Sequence, residues 1–231
     1  MNKTMIILVG ELHGTYEGPL ACMNILKEHK AKHLALEFDT SKQYEIDEYY
    51  SGKRALEDLS IFHIPKPYDG RSSSAVKELV IKARKQNIMI HFVDVEEGSD
   101  IHKRDETMAK NLMSIKHDVV FLCGNIHASK TPITFSKTFL ILNRVLQLFR
   151  KGIILPRNGT LKTCGAYLPF DKTFSYKIVA LRGGSYYNFK VRKIRGEKFL
   201  ENRASKVPAI IPSKERGYDY FYIVDRFTPT E

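Results

Sequence analysis

Four short apolar runs punctuate the first half of the chain: Met5 to Val9 (MIILV), His33 to Phe38 (HLALEF), Ile88 to Val93 (IMIHFV) and Val119 to Cys123 (VVFLC). Each is too short and too continuous for an amphipathic surface helix and has the length of a strand buried on both faces. Between them lie longer mixed segments that predict helices over Glu17 to His29, Ser41 to Leu59, Ser74 to Lys85 and Ile101 to Ile115. Ile64 to Ser74 carries Pro65, Pro67, Gly70 and three serines, and reads as a loop. Strand-like runs alternating with helices imply βαβ units and a mostly parallel sheet.

After Gly124 the pattern changes. Residues 131–150 read as a loop and an apolar helix, and strand-like pieces follow at Thr163 to Leu168, Tyr176 to Leu181 and Tyr220 to Val224. The expected architecture is one α/β domain over residues 1–231, with helices on both faces of a mostly parallel or mixed central sheet. A helical or loop insertion is expected around 41–73, and extra strands and a helix from the C-terminal half. The pattern leaves open whether that half completes the same sheet or forms an appendage.

Ligands of open α/β sheets bind beyond the carboxyl ends of the strands, so what each run delivers there matters most. The first ends in Gly10-Glu11-Leu12-His13, the second in Glu37 and Asp39, the third in Asp94 with Glu96 and Glu97 behind it, and the fourth in Gly124-Asn125-Ile126-His127. Two of the four share Gly-x-x-His, with a glycine that lets the backbone turn and a histidine on the loop beyond. A lone histidine at a strand end is ordinarily structural, but this paired arrangement makes His13 and His127 site candidates. Glu37, inside an apolar run, must be paired or protonated if its strand is central. On the helix after the third strand, Arg104, Met108, Asn111 and Ile115 share a face. Arg104 would thus point to the crevice, to neutralise Glu37, bind an anionic substrate or stabilise an oxyanion. Tyr68, His63, His91 and His102 lack a partner pattern and read as structural.

Composition changes this picture little. Hydrophobic residues at 43% and charged residues at 27% are ordinary for a globular protein. The apolar start is too short for a signal peptide, and no stretch approaches the roughly 18 residues needed to cross a bilayer. Phe139 to Phe149 comes nearest and is broken by Asn143, Arg144 and Gln147. Three scattered cysteines argue against a disulfide framework and for a reducing, cytoplasmic compartment. The net charge of +11 is spread along the chain, with mild clustering from Lys190 to Lys198. No nucleic-acid-binding motif accompanies it, so it reads as a solvated basic surface without a specific nucleic-acid partner.

The stretches Ile6 to Thr15, Leu34 to Glu37, Arg104 to Asn111 and Gly124 to Ala128 together resemble the superfamily joining the erythromycin esterase-like, ChaN-like and TraB/Tiki proteins. Cys164 to Leu168, Gly183-Gly184 and Gly217 to Pro229 resemble the C-terminal pattern of its uncharacterised bacterial branch. The esterase-like branch implies Glu11, His13, Glu37 and His127 as a cleft in which a histidine activates water for ester hydrolysis. The Tiki branch implies divalent-metal-dependent proteolysis, which maps to His13, His127 and an acid. The ChaN branch implies haem binding. Macrolide esterases carry an extra residue between the Glu and His of the first motif, so Gly10-Glu11-Leu12-His13 points away from macrolides and toward the general group.

The resulting expectation is a hydrolase of an ester, amide or lactone in a small molecule or peptide. His13 or His127 would be the base, Glu11 or Glu37 would orient it, and Arg104 would stabilise the oxyanion. No GxSxG nucleophile motif is present, so activated water is favoured over an acyl-enzyme. A variant places Mn, Zn or Co between His13, His127 and Glu37. The alternative is a haem- or metal-binding protein without catalysis, for which the 12 Tyr and 13 Phe could line a pocket, although aromatics more often build the core.

Overall fold

The computed structural model describes residues 4–64, 69–95, 101–140, 159–197, 200 and 206–230. Tyr68, Glu96, Glu97 and most of the apolar segment at 139–149 lie outside them. All four apolar runs form strands: β1 (Ile6–Glu11), β2 (His33–Asp39), β3 (Met89–Asp94) and β4 (Val119–Gly124). The helices between them are α1 (Glu17–Glu28), α2 (Gln43–Tyr50), α3 (Ser74–Lys85) and α4 (Ile101–Ser114). The helix expected over Ser41 to Leu59 is confined to α2, and short 3-10 turns at Leu56–Asp58 and Ser60–Phe62 follow it.

The C-terminal half completes the same sheet. β7 (Thr173–Ala180), β10 (Ala209–Pro212) and β11 (Tyr220–Val224) join the first four strands in the order β10-β11-β7-β1-β4-β2-β3. Every pairing is parallel except β10 with β11. Short elements fill the rest: helical turns α5 (Asn125–Ala128) and α6 (Cys164–Tyr167), the two-residue strands β5 (Ile133–Thr134) and β6 (Thr160–Leu161), and a hairpin of β8 (Gly184–Asn188) and β9 (Lys190–Ile194). Thr163 to Leu168, expected as a strand, is the α6 turn. Thr163 caps it by accepting the Ala166 N–H, a local bond that competes with strand pairing.

Alternation along the strands gives two packed faces. Ile7, Val9, Leu34, Leu36, Val120 and Leu122 bury against α1 and α3, whose apolar positions recur at helical spacing (Ala21, Cys22, Ile25; Val76, Leu79, Val80, Ala83). Leu8, Ala35, Phe121 and Cys123 turn to the other face, against Met108, Ala109 and Leu112 of α4 and Cys164 of α6. The buried stripe of α4 runs Asp105–Met108–Ala109–Leu112, with Ile115 packed against the same cluster, so Met108 and Ile115 face the sheet as their spacing suggested and Asp105 extends that face. β1 and β4 end level, Gly10 beside Cys123 and Glu11 beside Gly124. Pairing of β2 with β4 stops at Leu36 and Leu122, and β2 slips register against β3 between Leu36 and Asp39. Glu37 sits in that irregularity, which frees it from the ladder and re-aims it into the crevice.

Candidate active site

All five residues singled out as the catalytic set converge at the carboxyl ends of β1, β2 and β4. Glu37 is the hub. Its Oε1 accepts from Arg104 Nη2 at 2.5 Å and its Oε2 from the Gly124 N–H at 2.9 Å, a donor made available because β2 no longer pairs with β4 at that level. The two histidines approach it from opposite sides. His13 Nε2 lies 3.5 Å from Oε2 and His127 Nε2 lies 3.6 Å from Oε1. Each ring is held at its other nitrogen by a second buried carboxylate: His13 Nδ1 by Glu11 at 2.9 Å, and His127 Nδ1 by Asp105 at 2.7 Å. Asp105 is itself fixed by the backbone N–H of Cys164 at 2.5 Å.

Arg104 Nε and Nη2 reach the two oxygens of Asp94 at 2.7 and 2.5 Å, and Arg71 reaches Asp94 at 3.1 Å and Glu37 at 3.5 Å. Four buried carboxylates (Glu11, Glu37, Asp94 and Asp105) thus face two guanidiniums and two imidazoles. Of the roles open to Arg104, its contacts show neutralisation of Glu37 and Asp94.

Sequence reading missed Asp105 and Arg71. Asp105 carried a signal, a charged residue one turn before the apolar Met108 and Ala109, but it lies beside the face drawn through Arg104, Met108, Asn111 and Ile115 and was left off it. Arg71 lies in the Pro- and Ser-rich loop, where no periodicity marks it. Asp94 was a weak candidate and proves to be the anchor of Arg104.

Burial alone would disfavour charged imidazoles here, but flanking carboxylates outweigh it. Burial opposes the charge on His13, yet the bonds to Glu11 and Glu37 raise its pKa to about 10. His127 is also raised, with Glu37 and Asp105 overcoming burial and the opposing Arg104. Glu37 is driven well below the carboxylate range, because His127, His13 and Arg71 outweigh its own burial. Burial raises Glu11 despite His13. Fixing Nδ1–H of His13 on Glu11 leaves the Glu37 carboxylate facing Nε2, so a lone pair there would be repelled and His13 keeps its proton.

Glu11, His13, Glu37 and Arg71, with Leu36 and Leu122, also line a cavity of about 10 Å³, room for one water and not for a haem. A larger cavity of about 330 Å³ lies beside the two Gly-x-x-His loops. It is lined by Leu12 and Ile126, which directly precede the two histidines, and by Ile178, Ile194 and Phe227.

Comparison with known proteins places this architecture. No family model matches the chain, and no curated protein matches it. Among solved structures, a point mutant of erythromycin esterase EreC in its open conformation aligns over 100% of this chain and 92% of that one, with a TM-score of 0.64 and 10% identity. The fold is erythromycin esterase-like. A Bacillus cereus protein aligns over 99% of this chain and 90% of its own, with a TM-score of 0.55 and 10% identity. At this identity the esterase-like likeness is one of fold, and the chemistry must be argued from the residues.

Proposed function

We propose that the protein is a hydrolase of ester, amide or lactone bonds in small molecules, using water activated by histidine in the Glu11–His13–Glu37–His127 cluster. One observation carries the reading. Two imidazoles, each oriented by its own buried carboxylate, present Nε2 atoms to a single carboxylate between them. That is an acid–base pair with fixed tautomers. His13, whose pKa is pushed up to about 10, stays protonated and donates toward the developing oxyanion or leaving group. His127, once neutral, takes the proton of the attacking water, and Asp105 holds the resulting imidazolium. His127, His13 and Arg71 together hold Glu37 ionised, and Arg104 pairs with both Glu37 and Asp94. The larger cavity, walled by Leu12 and Ile126, would take the apolar body of the substrate. The erythromycin esterase fold is compatible with this chemistry, and the three free, buried cysteines suit the reducing cytoplasm.

The metal variant fits the donor set poorly. Among the described residues no group of three or more His, Cys, Asp or Glu side chains is arranged to hold an ion. Both oxygens of Glu37 are already engaged, and two guanidiniums stand where a cation would need negative surroundings.

The test is hydrolysis of a panel of acyl esters and lactones by the wild type, His13→Ala and His127→Ala, with folding checked by circular dichroism. Activity in the wild type that survives chelator and falls by about 10²-fold or more in both folded variants is expected. Activity that survives both substitutions would sink the assignment.

A further inference from the structure

We infer that the β8–β9 hairpin is a docking arm for an anionic lipid surface. From Gly183 to Gly196 the chain carries four cations, Lys190, Arg192, Lys193 and Arg195, and no Asp or Glu. Among the described residues the hairpin is held to the body through β8. Tyr187 of β8 is buried, its N–H donates to Gly14 O at 3.0 Å, and the Ser185 N–H donates to Phe227 O at 3.0 Å. β9 pairs with β8 and is exposed along its whole length. Among the described residues none of its basic side chains meets a carboxylate. Among the described residues its positive charge is therefore uncompensated.

Charge alone would not select a partner, but the apolar residues do. Phe189 forms the turn and is 54% exposed, and Val191 on β9 is also 54% exposed. Ile194 adds a third exposed apolar side chain. Phe189 adopts φ 55°, a left-handed conformation that Gly or Asn fills at less cost than a bulky residue. An aromatic kept at a strained, solvent-facing tip gains nothing from the fold itself. Nucleic acid could use the cations and stack a base on Phe189, yet exposed Val191 and Ile194 offer neither a π face nor a hydrogen bond. The boundary between headgroups and acyl chains accommodates all of these: basic residues among anionic headgroups, with Phe189 and Val191 just below. The same hairpin contributes Ile194 and Arg195 to the 330 Å³ cavity, so a docked surface would lie next to it.

Co-sedimentation of the full chain with vesicles tests the assignment, and it does so independently of any hydrolytic activity. Vesicles of phosphatidylcholine alone are compared with the same lipid carrying about 30% phosphatidylglycerol, at about 0.05 and 0.5 M NaCl. Binding to the anionic vesicles only, weakened by salt, is expected. Lys190→Glu/Arg192→Glu should weaken it by roughly 25-fold or more, about fivefold for each cation lost. Phe189→Ser should weaken it by roughly tenfold with the melting temperature unchanged. Equal binding to both vesicle types, binding to neither, or binding indifferent to both variants would overturn the proposal. So would single-stranded RNA that binds the wild type and Phe189→Ser alike while vesicles do not.

Discussion

At the residue scale the site depends on pairs, and single substitutions separate the members. Asp105 orients His127 without facing the crevice, so Asp105→Asn should lower kcat by about 10²-fold while leaving KM within a few-fold. Because Asp105 helps raise the His127 pKa, its loss should also move the rising limb of the pH–activity profile to lower pH. A merely structural role would leave that limb in place. Glu37→Gln leaves Arg104 and the protonated His13 without their shared partner, a loss of about 3–5 kcal/mol in chemical denaturation. His13 has a folded pKa raised to about 10, so its charged contacts stabilise the fold fully below the ordinary imidazole value, near pH 6.5. That contribution fades as pH rises through about 10. His13→Gln should accordingly flatten the fall in stability between those limits, read from melting temperature against pH.

At the element scale two close approaches set the geometry. Gly18, at the start of α1, packs so tightly on β1 that a Cβ would stand 1.8 Å from Glu11 Oε2. Gly18→Ala should displace Glu11 from His13 and cost activity at least tenfold, together with about 1–3 kcal/mol of stability. The exposed edge of β3 is closed by Gln43 of α2, whose amide donates to Ile90 O at 3.0 Å and accepts the Phe92 N–H at 2.7 Å, standing in for another strand. Gln43→Leu removes that cover and should raise the tendency to aggregate on warming, measured by light scattering. The elements carrying the site were legible because strands buried on both faces leave unbroken apolar runs, and Glu11, Glu37, His13 and His127 stood out against them. Asp105 was hidden at the margin of the face drawn on α4, next to Arg104, and Arg71 by a loop without periodicity. The hairpin escaped because a strand exposed on both faces, such as Lys190–Ile194, has no apolar alternation to betray it.

At the scale of the whole molecule, the two halves of the chain each build one side of the sheet and meet where β7 pairs with β1. β1 lies between β4 and β7, and β7 is in turn covered by β11. Residues near the C-terminus also secure the loop that follows His13. Thr228 O accepts the Tyr16 N–H, the Thr230 N–H donates to Gly14 O, and the Thr230 hydroxyl bonds Ser74 at 2.7 Å. The hydrogen bonds of Thr228 and Thr230 are what truncation removes. A chain ending after Phe227 should retain its sheet yet lose most activity, checked by circular dichroism beside an ester assay. β1 and β7 are far apart along the chain yet lie side by side, so their pairing closes a long loop, and the entropy of that closure makes the joint beside the site a slow event of folding.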